Sequence, residues 1–289
     1  MMSALIRRLS FISKSAVMTA LDSARVRPAA VAGLFYPRDR AELTATVDAL
    51  LERAPQSASG APVPKLLIAP HAGYVYSGSI AASVYALIRP ARDRIRRVVL
   101  LGPTHRVPVR GLALPEADAF ATPLGTVEID REAAAAASRL PQVTASAPAH
   151  AFEHSLEVHL PFLQSILGRF SLVPFAVGDA DASEVAQVLD LLWGGAETLI
   201  VSSSDLSHYH PYDVAQAIDR QTADAILHLR IDITHDQACG ATPVIGANLA
   251  AQRRRLRPQL LDLRNSGDTA GDRGRVVGYG AFAYYEAPE

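Results

Sequence analysis

The sequence predicts an α/β fold, and three features indicate it. Three short apolar runs are bounded by chain-breaking residues, which is typical of buried strands; they are residues 66–68, 98–101 and 199–201. Amphipathic helical patterns alternate with these runs, as in strand–helix units. A chain of 289 residues, 49% of them hydrophobic and 20% charged, can bury a large core. Length alone allows one large domain or two small ones.

Further elements can be placed along the chain. Residues 33–37 form a turn-rich segment, in which Phe35 and Tyr36 are interpreted as core residues. Asp39 is suited to cap the first helix, whose apolar positions recur at helical spacing. Additional helices are predicted within residues 79–88, 131–141, 182–195, 213–229 and 243–255, further strands within 172–178 and 276–285, and a hairpin within 111–130.

The first 25 residues differ in composition from the rest of the chain. They carry Ser and Arg and have no acidic residue before Asp22, a composition that transit peptides share. A weak secretory signal is a second interpretation, although Lys14 interrupts its apolar parts. The third is an upstream start, with translation beginning at Met18. We favour the third, and expect residues 1–25 to be a disordered or mis-assigned extension.

Composition also argues against several classes of partner. The formal net charge is −1, so no basic bias indicates nucleic-acid binding. No stretch approaches the roughly 18 apolar residues of a membrane span. Cys239 is the only cysteine, so an intrachain disulfide is impossible and a reducing compartment fits. We therefore expect a cytoplasmic protein with no membrane or nucleic-acid partner.

A histidine follows each of the three apolar runs. These residues are His71, His105 and His208. In open α/β sheets, ligands bind outside the carboxyl ends of the strands, so the three imidazoles are expected to line one pocket. For any one of them, a solvated or hydrogen-bonded loop residue is the alternative.

A second polar cluster lies in the stretch AHAFEHSLEVHLPFL. If a helix begins near Glu153, then Glu153 and Glu157 share one face. The order is not HExxH, so a self-contained zinc site is not expected. The favoured interpretation directs His154 into the pocket while one glutamate orients a neighbouring imidazole. A solvated polar helix face is the alternative.

Two further residues are candidates for chemistry. Asp205 lies three residues before His208, where it could hold a ring nitrogen and leave the other nitrogen to act as a base. The neighbouring serines lack the GxSxG pattern of a serine hydrolase. Cys239 precedes Gly240 and a predicted helix N-terminus, where the helix dipole favours a thiolate. A metal ligand or reactive thiol is therefore as plausible as a buried cysteine.

Seven ordered motifs resemble those of the Memo family, the mediators of ErbB2-driven cell motility, whose prokaryotic members are called AmmeMemoRadiSam system protein B. The motifs are GLFYP, APHAGYVYSG, LGPTH, EHSLEVHLPFL, SSDLSHY, ACG and NSGD…VVGYGAFAYYE, from about Val26 to Glu286. The family is similar in fold to class III extradiol dioxygenases. The resemblance implies a single-domain α/β/α sandwich around a central, mostly parallel sheet, covering residues 26–289.

The resemblance also implies roles for site residues. Carried over to this chain, His71 and His105 are metal ligands, Cys239 is the third ligand and His208 is the acid/base. Three other residues are expected in the same pocket: His154, Glu153 and Tyr74. The resemblance further implies that the site binds iron or copper. A cysteine in place of the dioxygenase carboxylate argues against ring cleavage, because a thiolate favours copper(I), zinc or thiolate-bound iron.

Two functions follow as hypotheses. The first is a redox protein that holds iron(II) or copper, with zinc as a further option, and that uses His208 as a proton shuttle oriented by Asp205. The second is a non-catalytic module that binds a small molecule or peptide in the pocket. In that second role it would act with radical SAM and AMMECR1-like partners, which the prokaryotic family name implies.

Overall fold

The computed structural model describes residues 25–56 and 60–286. The expected extension therefore lies almost entirely outside the described residues, and the domain boundary stays a prediction. The α-helices are α1 (Arg40–Arg53), α2 (Tyr74–Tyr85), α3 (Arg131–Ala137), α4 (Ala147–Ala151), α5 (Leu160–Ile166), α6 (Ala182–Leu192), α7 (Tyr212–Leu227) and α8 (Ala241–Arg254). Short 3₁₀ turns cover Ala86–Ala91, Glu157–His159 and Ser266–Asp268.

The strands belong to two sheets. They are β1 (Val26–Arg27), β2 (Leu66–Ala69), β3 (Arg97–Pro103), β4 (Leu112–Leu114), β5 (Ala119–Thr122), β6 (Gly125–Glu128), β7 (Val143–Ala145), β8 (Ser171–Val177), β9 (Thr198–Ser203), β10 (His208–His210), β11 (Arg257–Asn265) and β12 (Val276–Tyr285). The main sheet has nine strands in the order β10-β12-β2-β9-β3-β8-β4-β7, with β11 also paired to β12. The small sheet has the order β1-β5-β6.

The centre of the main sheet is parallel. Strands β2, β9, β3 and β8 pair in parallel, and antiparallel pairs with β12 and β4 flank them. The central strands are apolar and almost wholly buried, as expected for parallel strands covered on both faces. The three apolar runs of the sequence are therefore strands, and they are apolar because both of their faces are buried.

Two hydrophobic cores cover the two faces of this sheet. Because side chains alternate along a strand, Leu67 and Ala69 of β2 enter one core, while Leu66 and Ile68 enter the other. Helices α1, α2 and α5 complete the first core, and α6, α7 and α8 complete the second. The predicted α/β/α sandwich with a mostly parallel centre is confirmed.

Three helix starts differ from the sequence prediction. Helix α2 begins at Tyr74, ahead of the start predicted at residue 79. Residues 153–156 form a turn rather than a helix, and α5 begins only at Leu160, after the 3₁₀ turn. Helix α8 begins at Ala241, so Pro243, expected at the first helical position, lies within the first turn. None of the helices in residues 25–56 and 60–286 is long and apolar enough to traverse a bilayer.

Candidate metal centre

Three histidines meet at the carboxyl edge of the parallel strands. His71, His105 and His154 each offer a ring nitrogen, and these nitrogens all lie within 4.8 Å of one another. Their ring centroids are 5.2 Å apart for His71 and His105, 5.4 Å for His71 and His154, and 4.6 Å for His105 and His154. The sheet places His71 and His105 together because they follow the parallel strands β2 and β3. The group could hold a metal ion.

The hydrogen bonds of His71 indicate which ring nitrogen is free. Its Nδ1 lies 2.6 Å from the Ser203 hydroxyl, which itself donates to the Ser155 carbonyl at 2.7 Å. Since that hydroxyl proton is committed, Nδ1 of His71 is the donor, and Nε2 keeps its lone pair. Burial, reinforced by the other histidines, holds the pKa of His71 well below its usual range. The ring is therefore a neutral imidazole.

Glu153 fixes His105 through two contacts. One carboxylate oxygen lies 2.8 Å from Nδ1 of His105, and the other accepts from its backbone N–H at 2.6 Å. Burial favours the protonated acid, but hydrogen bonds from His105 and backbone N–H groups prevail and lower the pKa of Glu153 to about 2. The ionised carboxylate thus holds the proton on Nδ1 and leaves Nε2 for a metal.

His154 packs between an imidazole and an aromatic ring. It stacks on His105 with an interplanar angle of 29°. On its other contact, the ring centroids of His154 and Phe35 are 4.7 Å apart and the two rings are tilted relative to each other. Burial and the neighbouring His105 lower the pKa of His154 to about 4. The turn therefore places His154 in the histidine group as a neutral ring.

Cys239 reaches the edge of this group. Its Sγ lies 3.3 Å from Nε2 of His71 and 3.6 Å from the Asp205 carbonyl oxygen. Burial, and then the charge of Asp205, raises the pKa of this thiol to about 12. Desolvation outweighs the dipole of α8. The histidine group thus contains two of the three expected ligands, with His154 where Cys239 was expected.

The expected contact between Asp205 and the His208 ring is absent. Asp205 instead accepts from the backbone N–H of His71 at 2.7 Å, and burial raises its pKa to about 7. Nδ1 of His208 lies 2.8 Å from the Leu206 carbonyl, which fixes the proton there and leaves Nε2 free. Burial lowers the pKa of His208, so its ring is also neutral.

Tyr74 does not join the histidine group. Its hydroxyl donates to the Val158 carbonyl at 2.7 Å, and its ring packs against Phe162 with centroids 4.9 Å apart. A cavity of about 580 Å³ opens beside the centre, between β10, α7 and the loop before α8. Its lining includes His105, Cys239, His208, Tyr209 and Gln221. Neither Ser203 nor Phe35 was predicted to contact a histidine of the site, because both contacts depend on tertiary packing.

The family model for Memo-like proteins matches residues 27–283. The chain belongs to the Memo family. A MEMO1 family protein of Aquifex aeolicus is 37% identical over 267 residues, covering 88% of this chain and 97% of that relative. MEMO1 family proteins of Aeropyrum pernix and Methanopyrus kandleri are 36% and 35% identical, and each alignment covers 89% of this chain and at least 98% of the relative.

A solved structure supports the fold of this Memo-family chain. The crystal structure of the uncharacterised protein JW3007 from Escherichia coli K12 aligns with a TM-score of 0.50 at 13% identity, covering 75% of this chain and 98% of that one. At that identity the likeness extends to the fold.

Proposed function

We propose that this Memo-family protein is a non-haem metal protein whose centre holds iron(II) or copper and takes part in redox chemistry. The observation that carries the proposal is the convergence of three imidazoles with ligand atoms within 4.8 Å. Hydrogen bonds to Ser203 and Glu153 leave Nε2 of His71 and of His105 available. Neutral imidazoles with free lone pairs are the ligands that iron, copper and zinc share.

Cys239 is proposed as the third ligand, and His154 as the alternative. The Sγ–Nε2 distance of 3.3 Å to His71 supports Cys239, since one ion could contact both atoms after small shifts. Because the thiol is protonated at neutral pH, binding through Cys239 would release a proton. A soft thiolate would favour copper(I), zinc or thiolate-bound iron over the ligand set of ring-cleaving oxygenases.

The chain's own residues suggest how the site would act. A bound iron or copper ion would supply one-electron chemistry that amino-acid side chains lack. His208 would accept or return a substrate proton at Nε2, since its Nδ1 proton is held by Leu206. The adjoining cavity of about 580 Å³ would admit a small molecule. A reducing cytoplasm, which the lone cysteine favours, is the proposed compartment.

The test is metal content by mass spectrometry on protein purified without oxygen. We expect near-stoichiometric iron or copper in the wild type, and its loss in His71→Ala and Cys239→Ala. His228→Ala, which removes a surface histidine paired with Asp224, is the matched control and should keep its metal. Comparing His154→Ala with Cys239→Ala identifies the third ligand. The variant that loses its metal is the one that lacks the ligand. Full metal in both His71→Ala and Cys239→Ala would contradict the proposal.

A second proposal is a binding module that acts with radical SAM and AMMECR1-like partners. The cavity beside the histidines favours it, because a pocket of this size can hold a ligand without chemistry. A wild-type protein that stays empty when offered iron(II), copper(I) and zinc, yet binds a partner, would support this function. Oxygen uptake with a catechol-type substrate would exclude it.

A further inference from the structure

A buried ion pair lies behind the metal centre. Arg27 of β1 and Glu157 of the 3₁₀ turn are 5% and 0% exposed, and they form a direct hydrogen-bonded contact. Burying two charges costs several kcal/mol of desolvation for each ion, so a buried pair is weak evidence of stability by itself. Its other contacts indicate what it does.

Arg27 holds the main chain of the segment that orients His105. Its Nη2 donates to the Glu153 carbonyl at 2.6 Å, and its Nε donates to the His150 carbonyl at 2.9 Å. The Glu153 side chain in turn holds both the ring and the backbone N–H of His105. The guanidinium therefore fixes the backbone from which the orienting carboxylate projects.

Glu157 holds the loop that packs on His154. Its carboxylate accepts from the backbone N–H of Ala30 at 2.8 Å and of Val31 at 3.0 Å, and from the Tyr36 hydroxyl. The loop between these residues carries Phe35, whose ring contacts His154.

The same loop also reaches the segment that follows His71. The Phe35 carbonyl accepts from the backbone N–H of Tyr74 at 2.7 Å, at the start of α2. One ion pair is thus linked, by one or two contacts, to the segments that present all three histidines.

We propose that the Arg27–Glu157 pair is a positioning device that sets the geometry of the three-histidine centre without touching a bound ion. The inference rests on the proposed metal-binding function. The planar guanidinium makes three hydrogen bonds in fixed directions, which a lysine ammonium could not reproduce. Outer partners of metal ligands commonly influence metal affinity by about 10- to 100-fold when they are mutated.

The experiment is a titration with cobalt(II), whose visible absorption reports ligand geometry, on wild type and Arg27→Met. Arg97→Met is the matched control, because Arg97 makes a half-buried ion pair with Asp130 at 2.7 Å at the amino end of β3, whereas His105 follows the carboxyl end of that strand. We expect Arg27→Met to bind cobalt about 10- to 100-fold more weakly with an altered spectrum. Arg97→Met should lose thermal stability but keep the wild-type affinity and spectrum. Arg27→Lys should recover only part of the affinity.

Other outcomes separate the two proposals. A wild type that binds no cobalt would refute metal binding itself. If wild type binds and Arg27→Met matches it in affinity and spectrum, the positioning role is overturned. Two variants guard against a failure to fold. Arg27→Met with Glu157→Met leaves no uncompensated charge, and Tyr36→Phe removes a single donor to Glu157. A folded double variant with wild-type affinity and spectrum would also overturn the inference.

Discussion

Asp219 is a buried carboxyl group beneath the strand that carries His208. It is 3% exposed and accepts from the backbone N–H of Ser207 at 3.0 Å. Burial raises its pKa to about 6, although hydrogen bonds from Ser207 and the nearby His210 oppose the change. Because the unfolded carboxyl titrates near 3.8, the folded state binds more protons between these pH values. Protonation of Asp219 therefore adds to the free energy of unfolding. This contribution is complete below about pH 4 and is lost as the pH rises through about 6.

Asp219→Asn removes this titration while keeping an oxygen for the Ser207 N–H. We expect the free energy of unfolding of the variant, relative to wild type, to rise between pH 4 and pH 7 by roughly 2–3 kcal/mol. Urea unfolding at several pH values measures it. A difference that stays constant over this range would show that the folded carboxyl titrates as it does in the unfolded chain.

At the residue scale, the sequence identified some of the side chains that gather, but not how each is held. The apolar runs predicted that His71 and His105 follow strands that end at the same edge of the sheet, and in the structure both lie beside His154. Asp205 contacts His71 rather than His208, and burial raises the pKa of the Cys239 thiol although the helix dipole favours the thiolate. Both differences arise from burial and loop path, which depend on distant parts of the chain and leave no local pattern.

Strand β10 contains a backbone irregularity at His208, which lines the cavity beside the histidine group. Its pairing with β12 shifts register between His208 and His210, and Tyr209 between them has a φ of 62°. For an L-residue this left-handed conformation costs about 1–2 kcal/mol, whereas glycine adopts it freely. Bulges of this kind re-aim side chains, and this one separates the directions of His208 and the exposed Tyr209.

Tyr209→Gly and Tyr209→Ala both delete the aromatic ring and its contact with Arg275, but only Gly relieves the backbone. We therefore expect the Gly variant to be more stable than the Ala variant by about 1 kcal/mol in denaturant unfolding. At Thr126, an exposed residue of the extended strand β6, the order should reverse, because glycine costs entropy in an ordinary strand. If Tyr209→Ala were more stable than Tyr209→Gly, the backbone at residue 209 would not be strained.

At the element scale, strands were easier to predict than helix starts. The apolar runs fixed β2, β3 and β9, since few other structures bury such short segments on both sides. A helix that began near Glu153 would place Glu153 and Glu157 on one face. In the structure, the turn at 153–156 directs Glu153 to His105 and Glu157 to Arg27. Which glutamate orients a histidine could not be predicted without that turn.

In the whole molecule, each of the two hydrophobic cores is built from both the early and the late parts of the described chain. Strand β2 lies between β9 and the last strand, β12, so early and late segments alternate across the sheet. Both cores use side chains from the same strands. We therefore expect the described part of the chain to unfold in one cooperative transition, because separating the cores would require breaking the shared strands.

Leu66 and Leu67 provide a matched test of this cooperativity. They are adjacent and fully buried, but Leu66 enters the core that packs on Trp193, and Leu67 enters the opposite core. Each Leu→Ala change should cost about 2–5 kcal/mol. Trp193 is the only tryptophan, so its fluorescence reports one core while circular dichroism reports all helices. If the cores unfold together, Leu67→Ala shifts both midpoints equally; a shift in circular dichroism alone would mean that the two faces of the sheet melt separately.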